Sequence, residues 1–155
     1  MYEVPENTLT EALNYVLVAD AGRARVFIAA HEDSALSEIA DFVNPEARLT
    51  PAEAESDRHG HVMHGTAGIG HTFEPRHSNA EHAAEVFAEQ VCSFLHDAWR
   101  SGLLRRLYLV ADPSFLGVLR KALDPATARC VVKETAADYT RLTAADIRRR
   151  LPRCL

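Results

Sequence analysis

The run from Asn14 to Ala30, NYVLVADAGRARVFIAA, constrains the fold more than any other part of the chain. Tyr15 to Ala19 is continuously apolar and rich in β-branched and aromatic residues, the pattern of a strand covered on both faces. Asp20-Ala21-Gly22 punctuates it, with Gly22 expected to supply a positive φ. The chain then returns through Arg23 to Ala30. On that return Ala24, Val26 and Ile28 share one face, and Arg23 and Arg25 the other. Two strands around a tight turn follow.

A second apolar run, Leu107 to Ala111 (LYLVA), reads as another strand covered on both faces. Between the two lies a weaker strand at about Leu36 to Val43. Its alternation is imperfect, and Glu38 and Asp41 suit an edge position. A third buried strand is expected at Cys130 to Val132, kept short by Lys133 and Glu134. The longest helical stripe starts at Ser78, where Ser78 and Glu81 form a capping box. Ala84, Phe87, Val91, Phe94, Leu95 and Ala98 make its apolar face, and Gly102 ends it. Asp112-Pro113 opens a second helix, with Phe115, Leu116, Leu119, Ala122 and Leu123 inward and Asp124-Pro125 as its end. A last helix spans about Thr143 to Leu151.

The order β-β-β-α-β-α-β-α predicts a mixed five-stranded sheet in the order 3-2-1-4-5, with helices on both faces. This is the ribonuclease H-like arrangement. Residues 1–13 read as a polar N-terminal extension, and 14–155 as one α/β domain. Within it, residues 44–77 form a long loop of 34 residues with three prolines, four glycines and five histidines. Loops of that length in compact domains are usually functional. Thr50-Pro51-Ala52-Glu53 inside it has the form of a helix start, good for a turn or two.

The net charge of −5 argues against a general nucleic-acid binder, but the charge is unevenly shared. Residues 1–77 carry 13 acidic and 5 basic side chains, whereas residues 78–155 carry 9 and 12. Arg100, Arg105, Arg106, Arg141 and Arg148 to Arg150 therefore offer a basic face for phosphate backbones, against the plainer reading of solvated helix ends. Cys92, Cys130 and Cys154 have no spacing that implies a disulfide framework or a paired metal motif. They read as thiols in a reducing cytoplasm. The N-terminus lacks a secretory signal pattern, and no run reaches the roughly 18 apolar residues of a membrane span.

Two constellations carry chemistry. Asp20 and Asp112 each close a central strand, and parallel strands would bring both carboxylates to one sheet edge, where ligands of open α/β sheets bind. Such a pair would hold Mg²⁺ or Mn²⁺ in a nuclease or phosphodiesterase site. The competing reading makes Asp20 a turn residue and Asp112 a helix cap. The second constellation is the histidine-rich segment. His59, His61 and His64 have spacings that would place imidazoles on one Zn²⁺ or make a pH-sensitive partner-binding loop, against a solvated polar loop. His82 follows in the helix. Gly65-Thr66-Ala67-Gly68-Ile69-Gly70 lacks the Lys-Ser/Thr of a phosphate-binding loop and reads as a flexible tip. No local motif signals a Ser-His-Asp or Cys-His arrangement, so an enzyme is not favoured and no cofactor is expected.

Several stretches resemble the bacterial family of host attachment proteins: YVLVADAGRARVF, DRHGH, EVFAEQVCSFL, LYLVADPSFLGVLRKAL and VVKETAADYTRLTAADIRRRL. The resemblance covers about residues 14–151. That family in turn is similar to the middle domain of archaeal and eukaryotic peptide-chain release factors, in which the long loop carries a Gly-Gly-Gln tip. The corresponding stretch here is MHGTAGIGH, without Gly-Gly-Gln; Gln90 lies in the helix. The resemblance implies a cytoplasmic module that binds the ribosome, RNA or another protein. Arg58, His59, His61, His64, Gly65 and Gly68 in the loop, with Arg148 and Arg149 in the last helix, would be its binding residues.

Overall fold

The computed structural model describes residues 12–31, 33–48, 75–153 and 155, with the side chains of 48 and 75–78 left aside. The expected helix start at Thr50 and the residues of the N-terminal extension up to Glu11 lie outside that set, as does Cys154. Strands β1 (Leu13–Ala19), β2 (Arg23–Ala29) and β3 (Ser37–Val43) come first, followed by a 3₁₀ turn at Pro45–Arg48. Then come α1 (Pro75–Arg100), β4 (Leu104–Ala111), α2 (Pro113–Ala122), the one-turn α3 (Pro125–Ala128), β5 (Val131–Ala136) and α4 (Ala144–Arg150).

The sheet order is β3-β2-β1-β4-β5, as the two apolar runs predict. β1 pairs antiparallel with β2 and parallel with β4, with Leu17 opposite Leu109 and Ala19 opposite Ala111. β3 and β5 are the edges. All seven residues of β1 are buried, because helices cover both sheet faces. Tyr15, Leu17, Val26, Leu107 and Leu109 pack under α1 and α2, against Phe87, Val91, Leu95, Phe115 and Leu119. Val16, Val18, Phe27, Tyr108 and Val110 pack on the other face against Ile147, Leu151 and Leu155.

Several boundaries differ from expectation, each for a physical reason. β1 begins at Leu13, which is buried, so the strand starts two residues before Tyr15. α1 begins at Pro75, so Ser78 lies inside the first turn rather than capping it. Proline at the first helical position, with its preset φ, outcompetes the later capping signal. Gly102 ends α1 as expected: its φ is +74°, and Leu103 N and Gly102 N donate to Ala98 O and Trp99 O, closing a Schellman motif. Gly22, by contrast, does not adopt a positive φ. A Cβ there would lie 3.4 Å from Asp20 Oδ1 and 3.8 Å from the Ala47 Cβ, ordinary contact distances, so neither φ nor space demands glycine at this turn.

β5 is longer than the three residues expected and is mostly exposed rather than buried. An edge strand pairs on one side only, so Lys133 remains in it exposed and Glu134 remains in it by accepting from Arg120 Nε at 2.8 Å. Asp124 does not simply terminate α2; it caps α3, accepting from the amides of Ala126 and Thr127 at 3.0 and 3.1 Å.

Candidate functional site

The carboxyl edge of the parallel strands is where Asp20 and Asp112 meet the rest of the fold. Asp112 N donates to Ala19 O at 3.1 Å, so both residues leave neighbouring strands at the same level. Their carboxylates are nevertheless engaged locally. Asp20 Oδ1 accepts from the amides of Gly22 (2.8 Å) and Arg23 (2.7 Å), which closes the β1–β2 turn. Asp112 Oδ2 accepts from the amide and the hydroxyl of Ser114, capping α2.

A third acid, unseen in the sequence, joins this edge just beyond β5. Asp138 Oδ1 accepts from the Thr140 hydroxyl at 2.6 Å and the Thr140 amide at 3.0 Å. The same hydroxyl lies 3.3 Å from Asp20 Oδ2. Burial works to raise the Asp138 pKa, but the two Thr140 donors, the Asp20 carboxyl and the Arg141 charge outweigh it, and the group sits below its ordinary value. Among the described residues, no three His, Cys, Asp or Glu side chains converge as a metal-binding set.

Thr140 is also where β2 is fastened to the segment after β5. Arg25 is the pin. Its Nε and Nη2 donate to Glu38 Oε1 and Oε2, both at 2.9 Å, and its Nη1 donates to Thr140 O (3.1 Å) and Leu142 O (2.6 Å). Its guanidinium lies 4.9 Å above the centre of the Phe27 ring. Arg23 repeats the arrangement nearer the surface, forked on Asp41 and reaching Thr140 O at 3.4 Å. The shared Asp41 carboxylate is the main reason the Arg23 pKa is raised.

A second buried polar anchor stands between β3 and the Pro45–Arg48 turn. Asn44 donates its backbone N–H to Gly22 O (2.9 Å) and its side-chain amide to Ala21 O (3.1 Å) and Ala83 O (3.4 Å). It thereby joins the β1–β2 turn to α1. Beside it a groove of about 210 Å³ opens between Val43 and Pro45 on one side and Ala83, Val86 and Phe87 on the other.

At the opposite end of the sheet the surroundings are different. Leu13 faces Leu104 and Asn14 faces Arg106, so Arg105 is an extra residue, a β-bulge at the start of β4. Arg105 and Arg106 are consequently both exposed, with the last α1 residue, Arg100, shortly before them. Arg129, also exposed, closes the α3 turn and directly precedes Cys130, whose carbonyl accepts from Leu107 N. Among the described residues none of these four arginines has a carboxylate within salt-bridge distance. Trp99 stacks on His96 with ring centres 5.7 Å apart. His96 Nδ1 lies 3.1 Å from Asp124 Oδ2, close enough for an ion pair but not aligned as a hydrogen bond. Cys92, one turn earlier on α1, is buried, and burial assisted by the Asp124 charge pushes its thiol up to about 12. It is an inert core thiol.

The remaining predicted binding residues divide. Arg58, His59, His61, His64, Gly65 and Gly68 lie outside the described residues. Arg148 spends its guanidinium on Ser34 O, Pro152 O and Arg153 O, tying α4 to the β2–β3 connection and to the C-terminal residues. Arg149 pairs with Asp146 within α4, and Arg150 lies over the Tyr139 ring at 5.7 Å. No helix among the described residues is long and apolar enough to cross a membrane.

Two archaeal structures resemble this fold, one titled as the translation termination factor aRF1 and the other only as an archaeal protein. Each has a TM-score of 0.47 and 9% identity and covers 94% of this chain. The chain spans 38% of the length of each. No curated protein matches the sequence. The family model described as a protein required for attachment to host cells matches residues 15–151. With nearly the whole sheet and its helices inside that match, the chain belongs to this family of proteins required for attachment to host cells.

Proposed function

We propose that the chain is a non-enzymatic, cytoplasmic, RNA- or ribosome-associated module of this family, acting through residues between the Pro45–Arg48 turn and α1 and through the basic second half. The observation that supports this reading is where the charges are free. Asp20 and Asp112 are taken up by a turn and a helix cap, whereas Arg100, Arg105, Arg106 and Arg129 face no carboxylate among the described residues. Unpaired exposed arginines add favourable phosphate contacts without first breaking a bond within the protein. Sedimentation of cell extract through a sucrose gradient tests the reading. The protein is expected in the ribosomal fractions at low salt, and its confinement to the top of the gradient would refute the association.

A second reading, a metal-dependent nuclease or phosphodiesterase, is favoured by one observation: Ala19 and Ala111 are in register on parallel neighbours, so Asp20 and Asp112 share an edge. Asp112→Asn tests it, because that change spares the Asp20 turn. Unchanged Mg²⁺- or Mn²⁺-dependent cleavage of RNA would end that reading. The zinc reading of His59, His61 and His64 is decided by elemental analysis of untagged protein, where sub-stoichiometric zinc counts against it.

A further inference from the structure

We propose that the corner formed by the end of α1, the start of β4 and the α3–β5 junction is a docking surface for single-stranded RNA, with Trp99 as the stacking platform and Arg100, Arg105, Arg106 and Arg129 as phosphate contacts. The inference rests on the RNA reading above and gives it a location. Single-strand binders combine a basic track with an aromatic ring on which a base stacks, and both are present here.

The aromatic part is Trp99, the single tryptophan of the chain, in the last turn of α1. It is supported from within the protein by His96, which itself rests against Asp124. Even so, 39% of the residue stays exposed. A large aromatic held by a neighbouring ring and still open to water is already ordered, so little side-chain freedom is lost when a base stacks on it.

The basic part lies at the same end of the sheet, with Arg105 and Arg106 on the face opposite the one α1 covers. Arg100 is adjacent to Trp99, and Gly102 with its left-handed backbone turns the chain directly into β4. The bulge at Arg105 then presents two consecutive arginines to solvent, where a regular strand would alternate them. Arg129 is brought alongside by the pairing of Cys130 O with Leu107 N. α3, which precedes Arg129, begins beside α1, where its capping residue Asp124 comes within 3.1 Å of His96. Chain connection and strand pairing thus bring these residues to one end of the sheet.

Magnitudes favour a single strand over a generic polyanion. Four phosphate contacts on a single strand predict a slope of log K against log salt of about −3, a modest electrostatic contribution for a chain of net charge −5. Stacking of one base supplies a further factor of about five or more, independent of salt. A polyphosphate has only the first contribution.

The test uses the full chain and a labelled uridylate dodecamer, read by anisotropy and by Trp99 emission excited at the red edge of its absorption. Binding is expected to quench Trp99 and to show the slope of about −3. The triple variant Arg105→Gln, Arg106→Gln, Arg129→Gln is expected to lower the slope to about −1. Trp99→Ala should weaken binding at least about five-fold at an unchanged slope, and Trp99→Phe should retain most of the affinity. All four positions are exposed, so thermal melting checks that the fold is kept. The proposal is overturned by absence of binding at low salt, by an unchanged slope in the triple variant, or by unquenched Trp99. Equal affinity for polyphosphate or for anionic phosphatidylserine vesicles would overturn it too. Ribosome sedimentation of the same variants separates the two readings. Wild-type and triple variant co-sedimenting equally removes this surface and leaves the RNA association standing. Wild type binding the dodecamer with the expected slopes, yet absent from the ribosomal fractions, supports the surface and removes the ribosome.

Discussion

Replacing Arg25 with methionine should destabilise the protein by removing the bonds that fasten β2 to Glu38 and to the segment after β5. The Arg25 side chain is 10% exposed and makes four hydrogen bonds, two to Glu38 and two to the carbonyls of Thr140 and Leu142. Methionine keeps most of the stem and its packing over Phe27 but removes every donor. Breaking one partner of a well-buried ion pair costs about 3–5 kcal/mol, and leaving buried carbonyls unpaired about 1–3 kcal/mol each. Two features reduce the total. Glu38 is one-third exposed and rehydrates, and Thr140 O retains Arg23 Nη1 at 3.4 Å. The expected loss is therefore about 2–4 kcal/mol by urea unfolding. Arg25→Lys, which supplies a point charge without the fork, should lose about 1–2 kcal/mol. Hydrogen exchange adds the spatial prediction. Amides from Thr140 through Leu151 should lose protection before those of β1 and β4, because the pin holds that segment to the sheet. A loss below about 1 kcal/mol, or a loss spread evenly over all amides, would refute the view that Arg25 fastens this layer.

Asp124→Ala removes a cap that serves two amides and the Thr127 hydroxyl, and should cost about 1–2 kcal/mol in thermal or urea unfolding. Gly102→Ala forces a Cβ into a φ of +74° with no steric neighbour to blame, and should cost about 1 kcal/mol by the same measurement. The Asp138 pKa is lowered in the folded protein, so its contribution to stability is complete above the unfolded value of about 4 and disappears as pH falls through the lower folded value. Asp138→Asn should therefore be destabilising at neutral pH, with the difference from wild type closing in unfolding experiments carried below about pH 4. Cys92, buried and with its thiol pushed up to about 12, should react with a thiol reagent only at the rate of unfolding, whereas half-buried Cys130 reacts sooner.

Burial on both faces is what made the centre of this fold readable. The runs Tyr15–Ala19 and Leu107–Ala111 of β1 and β4 are apolar at every position, so they announce themselves without any partner in view. β3 shows why alternation can mislead. Val26 faces Ala40 and Phe27 faces Glu38, which leaves Ile39 as an extra residue. The apolar residues therefore fall out of a strict period of two, and the strand looks weaker than it is. The same device in β5, where Val132 is the extra residue, hid half of that strand behind Lys133 and Glu134. The partners of Arg25 were beyond reach for a different reason. Two of its acceptors are backbone carbonyls more than a hundred positions away, and a carbonyl has no residue type to recognise. Asn44 and Asp138 were missed likewise, since an Asn after a strand and an Asp before Tyr-Thr read as ordinary turn chemistry. For Arg105 a signal existed: Leu104 and Leu107 are both on the face under α1 and α2, a spacing of three that only a bulge permits.

The two ends of the sheet differ in what a ligand would have to displace. At the carboxyl edge, turning Asp20 Oδ1 toward a cation strips the amides of Gly22 and Arg23 of their acceptor, at a cost of about 1–3 kcal/mol for each amide that stays buried. Turning Asp112 gives up the cap of α2, about 1 kcal/mol more. The other oxygens, Asp20 Oδ2 near the Thr140 hydroxyl and Asp112 Oδ1, take no part in the turn or the cap, so a cation bound through them leaves both intact. At the amino edge nothing comparable is spent, because among the described residues the arginines give up no carboxylate and Trp99 keeps its support from His96 when its open side is covered. The acids of the carboxyl edge thus hold local structure through one oxygen each, whereas the exposed arginines at the opposite end face no carboxylate among the described residues.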